Sequence, residues 1–272
     1  MSVETLISLT TADGGNFLWL FVFALARMGA IVWVAPLFGG PAISRTARLG
    51  VGLALALLFL PQILPSAVGI LEGPPLFLAT ILVKEVAVGA AIGFVSGMVF
   101  WAAQSAGWLI DTVRGANMAE AIIPQTRKRS TPMGSLFFQL TIVLFFSLGG
   151  HRLLVVALAE SYVILPVESL PKTVGLQQFA ILCVKLSGEL ILIAVSIAAP
   201  VIASTLIADI SVGWINRFVP QLNVFFLVMP LKAALGIAVV AVTLGSLLAF
   251  LPKTLELGVG QLTWALRLLG GG

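Results

Sequence analysis

Charge is what this sequence has least of. Only 10% of its 272 residues are Asp, Glu, Lys or Arg, against roughly 25% in a soluble domain. With 60% hydrophobic residues and a mean hydropathy of +1.13, that scarcity excludes an ordinary soluble domain and implies an integral membrane protein. The single cysteine, Cys183, excludes an intramolecular disulfide and any multi-cysteine metal site. It lies in an apolar run, where packing is its expected role. The single histidine, His151, leaves metal-dependent catalysis and a histidine relay poorly supplied, and no metal or cofactor is expected. No glycine-rich phosphate loop of the G-x-x-x-x-G-K-[ST] type is present. The first residues, MSVETLISLTTADGGN, lack a basic region, so a cleaved signal peptide is not expected. The net charge of +4 is modest. Most cations sit near the ends of apolar segments, which fits a topology signal better than a nucleic-acid surface.

What the chain has is apolar length. Six regions stand out, 17–38, 47–64, 76–110, 135–164, 179–208 and 223–251, separated by polar breaks at 39–46, 65–75, 111–134, 165–178 and 209–222. All six are expected to be helical, because open strands cannot satisfy their backbone groups in lipid. Two of them resist a simple spanning model. The 76–110 stretch would be about 52 Å long as a straight helix, so it must tilt, kink, break or leave the bilayer. "GGHR" at 149–152 divides 135–164 into two short pieces that read as re-entrant or buried. If all six regions cross, the positive-inside rule places the N-terminus outside. The cytoplasmic breaks then carry Arg45, Arg48, Arg114, Arg127, Lys128, Arg129 and Arg217, against Lys172, Lys253 and Arg267 outside.

Six charges fall inside apolar regions: Arg27, Lys84, Glu85, Lys185, Glu189 and Lys232. Each costs about 2.5–3.5 kcal/mol at a helix centre on insertion scales, so they should face protein, water or one another. Lys185 and Glu189 share a helix face at i,i+4 and are positioned to pair, with a proton relay as the sharper alternative. Lys84 and Glu85 are neighbours, point in different directions, and are not expected to neutralise each other. Glu85 is in register with Gly89, Gly93 and Gly97, a small-residue ridge that lets another backbone approach, from this chain or another subunit. Pro200 and Pro230 each remove a backbone donor and favour a kink. Kinked helices beside charges also occur in small-solute transporters, which is the alternative from another class. Intramembrane proteolysis would have to use Ser96 in "GFVSGM" with His151 as base. Phe94 occupies the first glycine position of a G-x-S-G pattern, so this reading is poorly supported.

The segment "GANMAEAIIPQTRKRSTPMG", 115–134, reads from composition alone as a basic cytoplasmic loop. Four passages place it in a wider context: "KEVAVGAAIGF" (84–94), "GWLIDTVRGANMAE" (107–120), "GGHRLLVVALAESYVILPVE" (149–168) and "VPQLNVFFLVMPLKAALG" (219–236). In this order, and across nearly the whole chain, they resemble the T subunit family of the type III secretion export apparatus, whose flagellar relative is the R subunit. The "ANMAEAIIPQT…TPMGSLFFQL…GGH…ESY" passage looks more like the injectisome branch.

The resemblance implies an all-α inner-membrane protein of kinked and broken helices with a C-terminal helical hairpin, packed into a helical multi-subunit export gate. Implied partners are sister subunits of the P/R and Q/S types, a U/B-type switch subunit at the cytoplasmic entrance, membrane lipid, and unfolded substrates in transit. The channel would be structural and gating in role, not enzymatic. Residues 1–178 would resemble the larger sister and 179–272 the small hairpin subunit. The 111–134 loop would fold into the lumen as a plug, with Met118, Ile122, Ile123 and Met133 as an adaptable apolar seal. Arg127, Lys128 and Arg129 would line a wetter part of the passage. Regions 179–208 and 223–251 would form the hairpin through the polar turn 209–222. Asp209, Arg217, Gln221 and Asn223 would then lie near the entrance, or in an ordinary solvated turn.

Overall fold

The computed structural model describes residues 14–39, 43–63, 74–116, 131–170, 173–219, 221 and 224–270. Among them the chain forms α1 (Gly14–Val34), α2 (Pro36–Gly39), α3 (Arg45–Ile63), α4 (Pro75–Val113), α5 (Pro132–Ser147), α6 (Gly150–Ile164), α7 (Thr173–Phe218) and α8 (Val224–Gly270). No strand occurs among the described residues. Beyond its first turn, each backbone amide of such a helix bonds to a carbonyl of its own segment, which meets most of the condition a hydrocarbon solvent imposes.

Among the described residues, four helices carry windows long and apolar enough to cross a membrane: Phe17–Val34, Arg45–Ile63, Pro75–Val113 and Gln177–Phe218. The overlong third region is one unbroken helix of 39 residues. The fourth region is broken, as its "GGHR" implies. Gly149 adopts φ 76°, a left-handed conformation that a side chain would strain, and separates α5 from α6.

The expected polar turn at 209–222 is a different matter. α7 runs on through Phe218, so Asp209 and Arg217 lie on helix rather than in a turn. Polarity there marks exposure rather than a helix end. The stop signal is Pro220, which disfavours helix at the residue before it. Likewise α8 extends far past 251, to Gly270.

The chain divides into two compact units. The first comprises Met1–Met98, Gly149–Leu186 and Leu257–Gly272. Here α1 buries Leu20, Phe23, Ala24, Arg27, Met28, Ile31 and Val32, a single stripe at three- and four-residue spacing. That stripe packs on α3, which contributes Ala56, Phe59, Leu60 and Ile63, and on α4. The approach to α4 is close because two ridge glycines face α1. A Cβ at Gly89 would overlap the Arg27 carbonyl and lie 2.9 Å from the Ala30 Cβ, and one at Gly93 would lie 3.0 Å from the Val34 Cβ. Within the single chain, then, Gly89 and Gly93 serve helix–helix contact; Gly97 is buried.

The second unit comprises Val99–Leu148 and Ser187–Glu256. Phe100 of α4 meets Phe138 and Phe145 of α5 edge-on, at 6.3 and 5.4 Å between ring centroids. α7 buries Ala194, Ala198, Val201, Thr205, Ala208 and Val212, again one helical stripe, and leaves Leu192, Leu206, Ile207, Trp214 and Phe218 exposed.

Candidate functional site

The first cluster of functional interest is the set of charges buried in the first unit. Arg27, on the buried stripe of α1, and Glu85, on α4, are both 0% exposed. The Arg27 guanidinium grips the carboxylate at two points, Nε to Oε2 at 2.5 Å and Nη2 to Oε1 at 2.9 Å. Its remaining donors reach the Leu165 carbonyl at 3.0 Å and the Ser161 hydroxyl at 3.3 Å. The Tyr162 ring lies 4.0 Å below the guanidinium carbon and tilts against Phe59. A planar fork with five donors suits this arrangement, which a point charge could not satisfy.

Lys84 corrects an expectation from the sequence. Its Nζ lies 2.5 Å from Glu85 Oε1, so the neighbours do pair. Adjacent Cβ atoms on a helix diverge, but the four-carbon lysine stem is long enough to curl back. Nζ is drawn there by the carbonyls of Pro166 and Val167, at 3.0 and 2.9 Å, just beyond the end of α6. One carboxylate thus serves two cations, and the surplus positive charge is met by carbonyl oxygens. The cluster ties α1, α4 and the end of α6 together by polar bonds in an apolar interior, where each bond is strong and each unpaired group costly.

A second cluster lies in the second unit, where α4 ends and α5 begins. α4 ends with Gly115 at φ 75°, its N–H bonding to Thr112 O at 3.1 Å, while Ala116 N–H bonds to Asp111 O at 3.0 Å. This Schellman arrangement stops a helix at glycine. The Asp111 side chain, 0% exposed, accepts from Arg114 Nη2 at 2.7 Å and from the Met133 N–H at 2.9 Å. Met133 is in the first turn of α5. Thr131, the residue placed to cap α5, makes no side-chain capping bond, so Asp111 supplies the cap from another helix.

Among the sequence-derived candidates, Arg27, Lys84 and Glu85 are brought together in the first cluster. Lys232 bonds Asp209 across the hairpin at 2.7 Å, with Asp209 about half exposed at 46%. Lys185 is exposed and Glu189 half-buried on α7; Arg217 and Gln221 are exposed. Met133 is half-buried at the start of α5, whereas Met118, Ile122, Ile123, Arg127, Lys128, Arg129 and Asn223 lie outside the described residues. The Ser96 hydroxyl donates to the Gly93 carbonyl of its own helix at 3.1 Å, and His151 is exposed in the first turn of α6. Sequence reading missed Asp111, Ser161 and Tyr162 as partners. Asp111 falls in the polar break 111–134, although "DTVRG" carries a legible signal: a charge pair at i,i+3 directly before a C-terminal glycine.

Residues 18–257 match the family described as bacterial export proteins, family 1. The chain belongs to this family. It is 36% identical over 189 residues to the Yop proteins translocation protein T of Yersinia pestis, covering 70% of this chain and 71% of that one. It is 33% identical over 222 residues to the secretion system apparatus protein SsaT of Salmonella typhimurium, covering 80% and 84%. It is 29% identical over 251 residues to the flagellar biosynthetic protein FliR of Bacillus subtilis, covering 92% and 95%. This family-1 export protein is a multi-pass inner-membrane subunit of a type III export apparatus.

Proposed function

We propose that the protein is the T-type export-gate subunit of an injectisome, structural and gating in role rather than enzymatic. One copy assembles with several copies of the P/R-type and Q/S-type sister subunits into a helical channel for unfolded proteins, and the U/B-type switch subunit wraps its cytoplasmic entrance. Residues 1–178 play the part of the larger sister and 179–272 that of the hairpin subunit. Arg127, Lys128 and Arg129, together with the apolar Met118, Ile122, Ile123 and Met133, form the plug at the constriction. Lys185 and Glu189 serve subunit contacts, and Asp209, Arg217, Gln221 and Asn223 face the entrance.

The observation that carries the injectisome reading is the 36% identity to the Yersinia translocation protein, against 29% to the Bacillus flagellar protein. The flagellar match is the longer one, covering 92% of the chain, so the flagellar R subunit is the alternative. A deletion strain separates the two: effector secretion is lost while swimming is retained, and the reverse result makes the protein flagellar. A small-solute transporter is the reading from another class. Affinity purification is expected to recover two small helical membrane proteins in fixed ratio, and a lone monomer moving a solute in liposomes would overturn the export reading.

A further inference from the structure

The residues that flank 117–130, at the end of α4 and the start of α5, are fastened to one another and to α8 by side chains that neither composition nor the export role assigns. Gly107 and Gly134 bring the two backbones into contact. A Cβ at Gly107 would sit 2.5 Å from the Gly134 nitrogen, and one at Gly134 would sit 2.7 Å from the Thr131 Oγ1 and 3.2 Å from the Gln104 carbonyl. Across this contact Asp111 accepts the Met133 N–H and the Arg114 guanidinium. Arg114 is itself buried, and its Nε has no hydrogen-bond partner among the described residues; within them, Asp111 and packing hold its side chain in place. The packing comes from α8. A Cβ at Gly236 would lie 2.7 Å from Arg114 Cδ and 3.1 Å from Cγ, so the absence of a side chain at 236 is what admits the arginine stem. Met229, two turns earlier on α8, brings its Cε within 3.9 Å of a Cβ built on Gly115.

We propose that Asp111 is a positioning residue that clasps the end of α4 to the start of α5, the two elements flanking 117–130, and that Arg114 links this clasp to α8. A carboxylate does here what a local cap would do for α5 alone, and because it comes from α4 it also fixes the start of α5 relative to the end of α4. A charged acceptor at a helix N-terminus also gains from the helix dipole. The bond to Arg114 is charge-assisted and shielded from water, which makes it one of the stronger bonds available. A displacement of α8 at Gly236 therefore moves Arg114, and through it Asp111. The consequence for gating depends on the plug reading above; the clasp itself does not.

The test uses the assembled export complex with Cys183→Ser and spin labels at Thr112→Cys and Ser135→Cys, exposed positions on either side of the clasp. Pulsed dipolar spectroscopy reads the distance between the two roots. Asp111→Ala is expected to raise the population of separated roots by roughly tenfold, the change that ~1.4 kcal/mol produces. Asp111→Asn, which keeps an acceptor for Met133 but loses the ion pair, is expected to fall between. Gly236→Ala is expected to broaden the distribution as well, although alanine favours helix over glycine. Gly245→Ala, on the same helix with nothing within 4 Å, should leave it unchanged. Should Asp111→Ala fail to assemble, Asp111→Asn and Gly236→Ala carry the test, and unchanged distances in both overturn the proposal. Separated roots without an ion leak would uphold the clasp and sink the plug reading instead.

Discussion

At Glu85 a single carboxylate answers two buried cations, and the consequences of removing it differ from those of removing either cation. Glu85→Gln leaves Arg27 and Lys84 close together without a counter-charge, a change that typically costs about 3–5 kcal/mol. It is expected to abolish accumulation of folded protein or lower its thermal midpoint sharply in detergent. Tyr162 gives the opposite contrast. Its ring stacks under Arg27 and against Phe59, but its buried hydroxyl has no hydrogen-bond partner among the described residues. An unsatisfied buried hydroxyl carries a desolvation cost of about 1–3 kcal/mol, so Tyr162→Phe should be neutral or raise the midpoint. A marked loss of stability in that variant would mean that the hydroxyl is bonded in the folded protein. The need for a charge partner near Arg27 was legible in the sequence, since an unpaired arginine has no place in an apolar helix. Its identity was not, because 58 residues separate Arg27 from Glu85.

Among the elements, α4 shows how a periodic small-residue pattern becomes a contact surface. Gly89→Ala would place a methyl group against the Arg27 carbonyl and Ala30, and overpacking of this kind costs about 1–3 kcal/mol. Gly29→Ala, on the opposing helix α1 with nothing within 4 Å, should instead stabilise by up to about 1 kcal/mol through helix propensity. Thermal unfolding of the two purified variants tests the pair, and equal effects would refute the packing role of the ridge. The glycine spacing was readable beforehand. Which helix fills the groove was not, since both α1 and a separate subunit satisfy a ridge of small residues equally well. The hairpin shows the converse error. The polar stretch 209–222 reads as a turn, yet backbone bonding carries α7 through its first ten residues to Phe218, because nothing before Pro220 stops a helix.

For the whole molecule, the exposed apolar surface sets the expectation. Val184, Trp214 and Phe218 are 75%, 71% and 79% exposed, and they belong to long rows rather than scattered positions. Apolar area of that extent is tolerated only against lipid or protein. The chain expressed alone is expected to be polydisperse in detergent, and co-expression with its sister subunits should give one monodisperse species by size-exclusion chromatography. A monodisperse lone chain would count against the assembly reading. Deletion of 119–131 is expected to leave assembly intact and raise ion conductance of the complex; a tight channel would remove the plug reading.

The amino-acid order alone determines that this is a helical membrane protein, because a chain with one charge in ten residues and runs of spanning length has no other way to satisfy its backbone in lipid. It also determines the break at Gly149, because a left-handed residue without a side chain stops a helix locally. Only the tertiary structure decides which charges meet. Lys84 turns back to its neighbour because carbonyls from the end of α6 lie there, and Asp111 caps α5 because two glycines let the helices touch. Such choices depend on groups far apart in the sequence arriving at one point, and no local pattern records them.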